Sequence, residues 1–115
     1  MKRGDVFWAE LGPRSGAEQS GRRPVVVVSN DGFNRVGAWQ SVIVAPLSTS
    51  PAQRRRGPTA IALPKGTAGL RQEGIVLCHQ VTTLDRAKLV ARIGELPGSA
   101  LQRVEEGLRM ALALS

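Results

Sequence analysis

The sequence contains few of the residues that usually carry covalent, metal-dependent or acid–base chemistry: one cysteine, one histidine and no tyrosine in 115 residues. The single cysteine, Cys78, excludes an intramolecular disulfide, and its apolar surroundings, GIVLCHQ, are typical of a small buried residue. The single histidine, His79, excludes a two-histidine acid–base pair and a histidine-rich metal site. Because the two residues are adjacent on a predicted strand, we expect them to face opposite sides, with His79 in a structural role.

Long apolar segments are also absent. The longest apolar runs, residues 25–28 and 42–47, are far shorter than the roughly 20 residues that cross a membrane. The N-terminal MKRGDVFWAE carries positive charge without the apolar segment that follows such charge in a secretory signal. We therefore expect a cytoplasmic protein that does not contact a membrane.

What the sequence does have is positive charge. Sixteen Lys and Arg residues against nine Asp and Glu residues give a formal net charge of +7, and thirteen of the sixteen cations are arginines. This balance favours a polyanionic partner, because the planar guanidinium group binds phosphate in a bidentate manner. A GC-rich genome would explain the excess of arginine over lysine equally well.

The length and the 42% hydrophobic content indicate one folded domain over residues 1–115.

The hydrophobic pattern predicts six short strands followed by one helix. The strand segments are DVFWAEL, RRPVVVVSN, SVIVAPL, PTAIALP, GIVLCHQV and KLVARIGEL, with a turn at NDG, residues 30–32. Near the C-terminus, apolar residues recur at spacings of three and four: Leu101, Val104, Leu108, Ala111 and Leu112. Ser99 and Gln102 match an S-x-x-Q capping box. We predict a mainly β fold in which a small antiparallel sheet curls into a barrel that one C-terminal helix closes.

A loop between the third and fourth predicted strands, TSPAQRRRGP, carries Arg54, Arg55 and Arg56. Arginines on a loop rich in Pro and Gly can reach the phosphates of a nucleic acid. The alternative is a solvated loop whose arginines maintain solubility.

A second polar cluster lies directly before the four consecutive valines: Glu18, Gln19, Arg22 and Arg23. A strand fixed in the core would hold an arginine at its start in one geometry, which suits repeated contact with a phosphate. The alternative is an ordinary surface Glu–Arg pair. Because side chains alternate along a strand, we expect Arg22 and Arg23 to leave opposite faces.

Five segments of this chain, in order, resemble the MazF/PemK family of toxin–antitoxin endoribonucleases: RGDVFWAEL, GAEQSGRRPVVVVSND, VIVAPLSTS, GIVLCHQVTTLDRAKL and LQRVEEGLRMALAL. The second is the most specific, because it matches the family's G-S-E-Q-x-G-x-R-P signature with Ala17 in place of serine. The resemblance implies an SH3-like barrel of the CcdB/PemK type, a homodimer and a cognate acidic antitoxin. It also implies sequence-specific cleavage of single-stranded RNA, with no metal or other cofactor.

The resemblance further implies the site residues. The family's arginine before the proline corresponds to Arg23, and a threonine in its third strand falls on Ser48, so Thr49 takes that place only if the strand register differs. Among the residues available, Glu18 is the candidate base, or orients Arg23. RNA contacts are expected from Gln19, Arg22, Thr49, Arg54, Arg55, Arg56 and Gln80. Thr82 stands where many relatives carry an arginine, which weakens the expected RNA contacts from that strand.

Metal-free RNA cleavage most simply uses the 2′-OH as nucleophile and needs a base, an acid and a group that stabilises the phosphorane charge. Arg23 is the expected stabiliser, and since arginine stays protonated, the acid is left open. Two other functions are also open. A non-catalytic RNA-binding barrel would use stacking aromatics, of which only Phe7, Trp8, Phe33 and Trp39 exist. A gyrase-directed toxin of the same fold would have no catalytic use for Glu18 and Arg23.

Overall fold

The computed structural model describes the backbone of residues 1–115 and all side chains except that of Arg56, whose predicted RNA contact lies outside the described residues. The chain forms seven strands and two α-helices. The strands are β1 Asp5–Glu10, β2 Arg22–Val27, β3 Ser41–Ser48, β4 Ala60–Leu63, β5 Gly74–Leu77, β6 Thr82–Asp85 and β7 Leu89–Glu95. The helices are α1 Asp31–Asn34 and α2 Gly98–Leu112. Short 3₁₀ segments lie at Pro51–Thr59, Thr67–Gly69, Cys78–Gln80 and Arg86–Lys88.

All strand pairs are antiparallel, and the order across the sheet is β4-β5-β3-β2-β1-β7. The sixth strand, β6, pairs with the first half of β3, while β5 pairs with the end of β3. The prediction of a mainly antiparallel β fold with a C-terminal helix is confirmed. The barrel, however, is not closed, because the edge strands β4 and β7 do not pair with each other.

The valine run forms a strand that is buried on both faces. Val25 and Val27 belong to one hydrophobic cluster, with Val42 and Val44 of β3. Val26 points the other way, into a second cluster beneath α2. All three β2 valines have no exposed surface, and full burial of such a side chain contributes roughly 1.5 kcal/mol or more. The strand is therefore anchored from two sides, which fixes the position of the residues at its start.

Three sequence predictions need correction. The segment 74–81 is not one strand, because β5 ends at Leu77 and a 3₁₀ turn follows at Cys78–Gln80. Cys78 is buried, as predicted, and His79 is exposed, but the two residues lie in a turn and not on an alternating strand. The separate strand β6 was not predicted; β3, with eight residues, is long enough to pair with two partners in succession. At the predicted NDG turn, the Asn30 side chain accepts a hydrogen bond from the Gly32 N–H and caps the short helix α1.

The C-terminal helix forms where the periodicity predicts it, but the capping box is wrong. Helix α2 begins at Gly98 after Pro97, without a side-chain cap, so Ser99 lies inside the first turn. The apolar stripe packs on the sheet through Val104 and its neighbours, whereas Leu112 is exposed. No helix in the described part of the chain is long and apolar enough to cross a membrane.

Gly107 is the point of closest approach between α2 and the sheet. A Cβ atom at this position would lie 2.7 Å from the Sγ atom of Cys78 and 3.2 Å from Cγ1 of Ile61. Both distances are shorter than ordinary van der Waals contact. The glycine therefore allows the helix to rest directly on β4 and the Cys78 turn.

We predict that Gly107→Ala destabilises the fold even though alanine favours a helix interior by up to about 1 kcal/mol. The overlap with Cys78 and Ile61 has the typical cost of overpacking, about 1–3 kcal/mol. Urea unfolding followed by circular dichroism measures the difference. Gly98→Ala is the matched control, because nothing lies within 4 Å of its Cβ position. If both variants are stabilised alike, the close contact at Gly107 is contradicted; partial recovery in Cys78→Ala/Gly107→Ala would support it.

Candidate functional site

A cavity of about 490 Å³ opens where β2 begins. Its walls come from β1, β2, the end of β3, the segment before β5, and β7. The lining residues are Trp8, Arg22, Arg23, Pro24, Leu47, Thr49, Gly69, Leu70, Arg71, Gln72, Glu73, Gly74, Arg92 and Ile93. Polar groups thus converge on an apolar floor, which is the usual composition of a ligand site.

The charge of the cavity is strongly positive. Four arginines line it (Arg22, Arg23, Arg71 and Arg92), against one described acid, Glu73. Arg92 is partly neutralised by the buried Asp5, whose Oδ1 accepts a hydrogen bond from Arg92 Nη2 at 3.3 Å. Such a group of guanidinium side chains suits an anionic ligand with several oxygen acceptors, a phosphodiester above all.

Arg22 lies against an aromatic ring. Its guanidinium carbon is 5.9 Å from the centroid of the Trp8 ring, within the range of a cation–π contact. The register of β1 with β2 places Trp8 opposite Pro24 and Glu10 opposite Arg22, so all four leave the same face of the pair. Trp8 is 38% exposed. This flat surface at the cavity wall is able to stack against a base.

Arg23 is held differently. It lies opposite the buried Ala9 in the β1–β2 register, so its side chain leaves the other face from Arg22, as strand alternation predicts. Its Nε–H donates to the carbonyl oxygen of Ser20 at 3.1 Å, which fixes the stem of the side chain. Both residues nevertheless contribute to the cavity wall, because they stand at the mouth of the strand.

The end of β3 presents Thr49 rather than Ser48 to the cavity. Ser48 is only 4% exposed, and its Oγ accepts a hydrogen bond from the Ser50 N–H at 3.1 Å. Thr49 is exposed and lines the cavity. The resemblance assigns the position of the family's threonine to Ser48. In the structure the Ser48 hydroxyl lies in a local turn, and the next residue, Thr49, faces the cavity.

The loop at residues 12–21 does not bring Glu18 into the cavity. The Glu18 carboxylate lies 3.9 Å from Arg14 Nη1 and is largely exposed. Gln80 fastens this loop, because its Oε1 accepts from the Gln19 N–H at 2.8 Å and its Nε2 donates to the Ala17 carbonyl at 2.9 Å. The Gln19 Oε1 atom is buried with no hydrogen-bond partner in the described chain. In this structure the Gln80 side chain therefore holds the loop, through the backbone of Gln19 and Ala17.

An ion pair connects the basic segment Pro51–Thr59 to the cavity. Arg54 Nη2 contacts Glu73 Oε1, and Glu73 lines the cavity. Arg55 is exposed. Among the described side chains, no group of three or more His, Cys, Asp or Glu residues could hold a metal ion.

Three charged cavity residues were missed by sequence reasoning: Arg71, Glu73 and Arg92. They lie on segments that meet only through the sheet register, so spacing along the chain gives no signal for them. The sequence distinguishes Trp8 only as one of four aromatic residues. The one sequence clue is that RQE directly precedes a buried strand, as the GAEQSGRR cluster also does.

Comparison with known proteins places this chain in a family. Residues 2–112 match the family model described as PemK-like, MazF-like toxin of type II toxin-antitoxin system. Endoribonuclease EndoA of Bacillus subtilis (strain 168) is 36% identical over 114 residues, which cover 99% of this chain and 96% of that protein. Endoribonuclease MazF6 of Mycobacterium tuberculosis (strain H37Rv) is 33% identical, with 99% and 98% covered.

Solved structures agree with the sequence relatives. A mycobacterial endoribonuclease in complex with its cognate antitoxin superposes with a TM-score of 0.78 at 28% identity, covering 98% of this chain and 95% of that one. MazF from Deinococcus radiodurans gives a TM-score of 0.76 at 29% identity, with 99% and 97% covered. The chain therefore belongs to the PemK-like, MazF-like toxins of type II toxin–antitoxin systems, and it is an endoribonuclease of that family.

Proposed function

We propose that this protein is a cytoplasmic, metal-independent endoribonuclease that cuts single-stranded RNA at a short specific sequence and so inhibits translation. Messenger RNA is the proposed main target, with ribosomal and transfer RNA as alternatives. The observation that carries the proposal is the cavity at the start of β2, where Arg22, Arg23, Arg71 and Arg92 surround a space of about 490 Å³. Such a cavity can bind a phosphodiester and stabilise additional negative charge on it.

The proposed reaction is attack of the ribose 2′-OH on the adjacent phosphorus, which leaves a 2′,3′-cyclic phosphate and a 5′-OH. Arg23 stabilises the phosphorane, because its stem is fixed to Ser20 and its strand is buried on both faces. Arg22 and Trp8 hold the neighbouring nucleotide by charge and stacking. The hydroxyl at the end of β3 contacts the phosphate, either from Ser48, as the resemblance implies, or from Thr49, which lines the cavity.

The remaining predicted residues are proposed to act around the cavity. Arg54, Arg55 and Arg56 attract the RNA backbone outside it, a contact that depends on salt. The side chain of Gln80, bonded to the backbone of Gln19 and Ala17, holds the loop at residues 12–21 in the conformation that contacts RNA. Glu18, paired with Arg14, contributes to the order of that loop.

The proposed chemistry predicts the ends of the products. Cleavage of a short RNA is expected to yield 2′,3′-cyclic phosphate and 5′-OH ends, detected by mass spectrometry, and to continue at an unchanged rate in excess EDTA. Products with 5′-phosphate ends, or loss of cleavage in EDTA, would contradict the 2′-OH reaction. RNA that is bound but remains intact would favour the non-catalytic binder, and intact RNA with inhibited gyrase would favour the gyrase-directed toxin.

A second prediction separates the two arginines of β2. Arg23→Ala should lower the single-turnover rate at saturating enzyme roughly 10²–10³-fold, as for loss of a transition-state hydrogen-bond donor. Arg23→Lys should recover little, because a point charge does not replace the bidentate fork. Arg22→Ala should mainly weaken RNA binding, in a salt-dependent way. The reverse pattern would contradict the assignment. Ser48→Ala and Thr49→Val in the same assay identify the active hydroxyl.

Two protein partners are also proposed. The first is a second copy of this chain, because one small basic surface is too short to follow several nucleotides. The second is a cognate acidic antitoxin that covers the arginine cavity and competes with RNA. The mycobacterial neighbour, an endoribonuclease in complex with its cognate antitoxin, supports this partner. The net charge of +7 supports attraction of an acidic segment.

Light scattering should report about twice the chain mass of 12.3 kDa at micromolar concentration. The cognate antitoxin should displace a fluorescent RNA from this dimer, and its affinity should fall as salt is raised, because screening weakens charge attraction. A monomer that still cuts RNA would contradict the dimer. Cleavage that is unaffected by bound antitoxin would contradict the shared surface.

A further inference from the structure

Glu73 is the only acidic residue among the described residues that line the cavity. Attack by a 2′-OH requires a group that removes its proton, and a carboxylate can do so. The other carboxylate suggested for this purpose, Glu18, is paired with Arg14 and does not line the cavity. The one histidine, His79, does not line it either. The cavity itself therefore offers one side chain with the required chemistry.

The backbone that carries Glu73 is clamped at both ends. A Cβ at Gly74, the next residue, would lie 2.9 Å from Cδ2 of Leu47, so this backbone rests directly on β3. Gly69, at the other end, has φ +81°, and its Cβ position lies 3.1 Å from the Ile93 carbonyl oxygen of β7. Leu70, between them, is buried. A group held this firmly can meet a reacting atom repeatedly in one geometry.

The side chain is oriented as well. Glu73 Oε1 contacts Arg54 Nη2, a group outside the cavity lining. An ion pair through one carboxylate oxygen restricts the rotation of the whole group and leaves its other oxygen for a second partner. Leu47, against which the Gly74 backbone packs, also lies two residues before Thr49. The contact between Gly74 and Leu47 therefore positions both Glu73 and the hydroxyl groups at the end of β3.

We propose that Glu73 is the general base of RNA cleavage, an inference that rests on the 2′-OH reaction proposed above. The Glu73 carboxylate takes the proton of the 2′-OH as the 2′-oxygen forms its bond to phosphorus. The bond from phosphorus to the 5′-oxygen then breaks with its electron pair on that oxygen, which takes a proton from a water molecule. Glu73 returns its proton to solvent, so the enzyme ends each cycle unchanged.

The charged groups around Glu73 define the competing explanation. Arg54 faces it from the basic segment, Arg71 lies on its own segment, Arg22 and Arg23 come from β2, and Arg92 comes from β7. Glu73 could thus be only an anchor that holds Arg54 for RNA binding. In that case removing either partner of the ion pair would have the same effect, on affinity more than on rate.

The experiment is single-turnover cleavage of one short RNA at saturating enzyme, measured from about pH 4 to pH 8 for Glu73→Gln. The isosteric amide cannot accept the proton, so the rate should fall at least roughly 10²-fold, with RNA affinity changed by much less. The wild-type rate should fall on acidification, because a protonated carboxyl group cannot accept the 2′-OH proton. Glu73→Gln should lose that dependence, and Glu73→Asp should retain part of the rate.

Glu106→Gln, a change to an exposed carboxylate on α2, is the matched control and should leave rate and pH profile unchanged. The proposal is overturned if Glu73→Gln keeps a rate within threefold of wild type, or if Arg54→Ala lowers the saturated rate as much as Glu73→Gln does. Product analysis keeps the two proposals apart. Cyclic phosphate ends from a fully active Glu73→Gln variant refute only the base, whereas 5′-phosphate ends from the wild type refute the reaction itself.

Discussion

Burial of β2 on both faces is the constraint on which the rest of the structure depends. Val25 and Val27 fill one hydrophobic cluster and Val26 fills the other, so the strand cannot shift by one residue without exchanging two sets of contacts. The positions of Arg22 and Arg23 at its start are set by this packing rather than by the polar loop that precedes them. Charged residues directly before an apolar run are therefore held in fixed positions by the core, which a surface loop alone does not do.

The cavity assembles its charge from separate parts of the sheet. Arg22 and Arg23 come from β2, Arg92 from β7, and Arg71 with Glu73 from the clamped segment before β5. The four arginines repel one another in this partly closed space, which raises the free energy of the protein without a bound anion. Among the described side chains, Arg92 is the one of these four arginines that forms an ion pair, with Asp5. Such a cluster of positive charge attracts polyanions in general, and it does not by itself discriminate among RNA sequences.

Features that local patterns and family motifs encode could be predicted from the sequence. The alternation of the strands, the period of α2 and the placement of Arg23 at a strand mouth all follow from short segments. The start of α2 could not be predicted in this way. The N-cap of the helix is Pro97, two residues before Ser99, the N-cap that the S-x-x-Q motif predicts. The strand β6 could not be predicted either, since only Leu84 of its four residues is buried and the segment TTLD has no apolar alternation. Arg71, Glu73 and Arg92 meet only through pairing between distant strands, which spacing along the chain does not reveal.

The contact between Gly107 and Cys78 also bears on oxidation. Helix α2 covers the thiol completely, its Sγ–H donates to the Val104 carbonyl at 3.6 Å, and burial raises the pKa of Cys78 to about 11. A thiol that keeps its proton at neutral pH and has no access to solvent reacts poorly with peroxides and disulfides. Since this is the chain's single cysteine, oxidative stress has no thiol on the folded protein through which to change its activity.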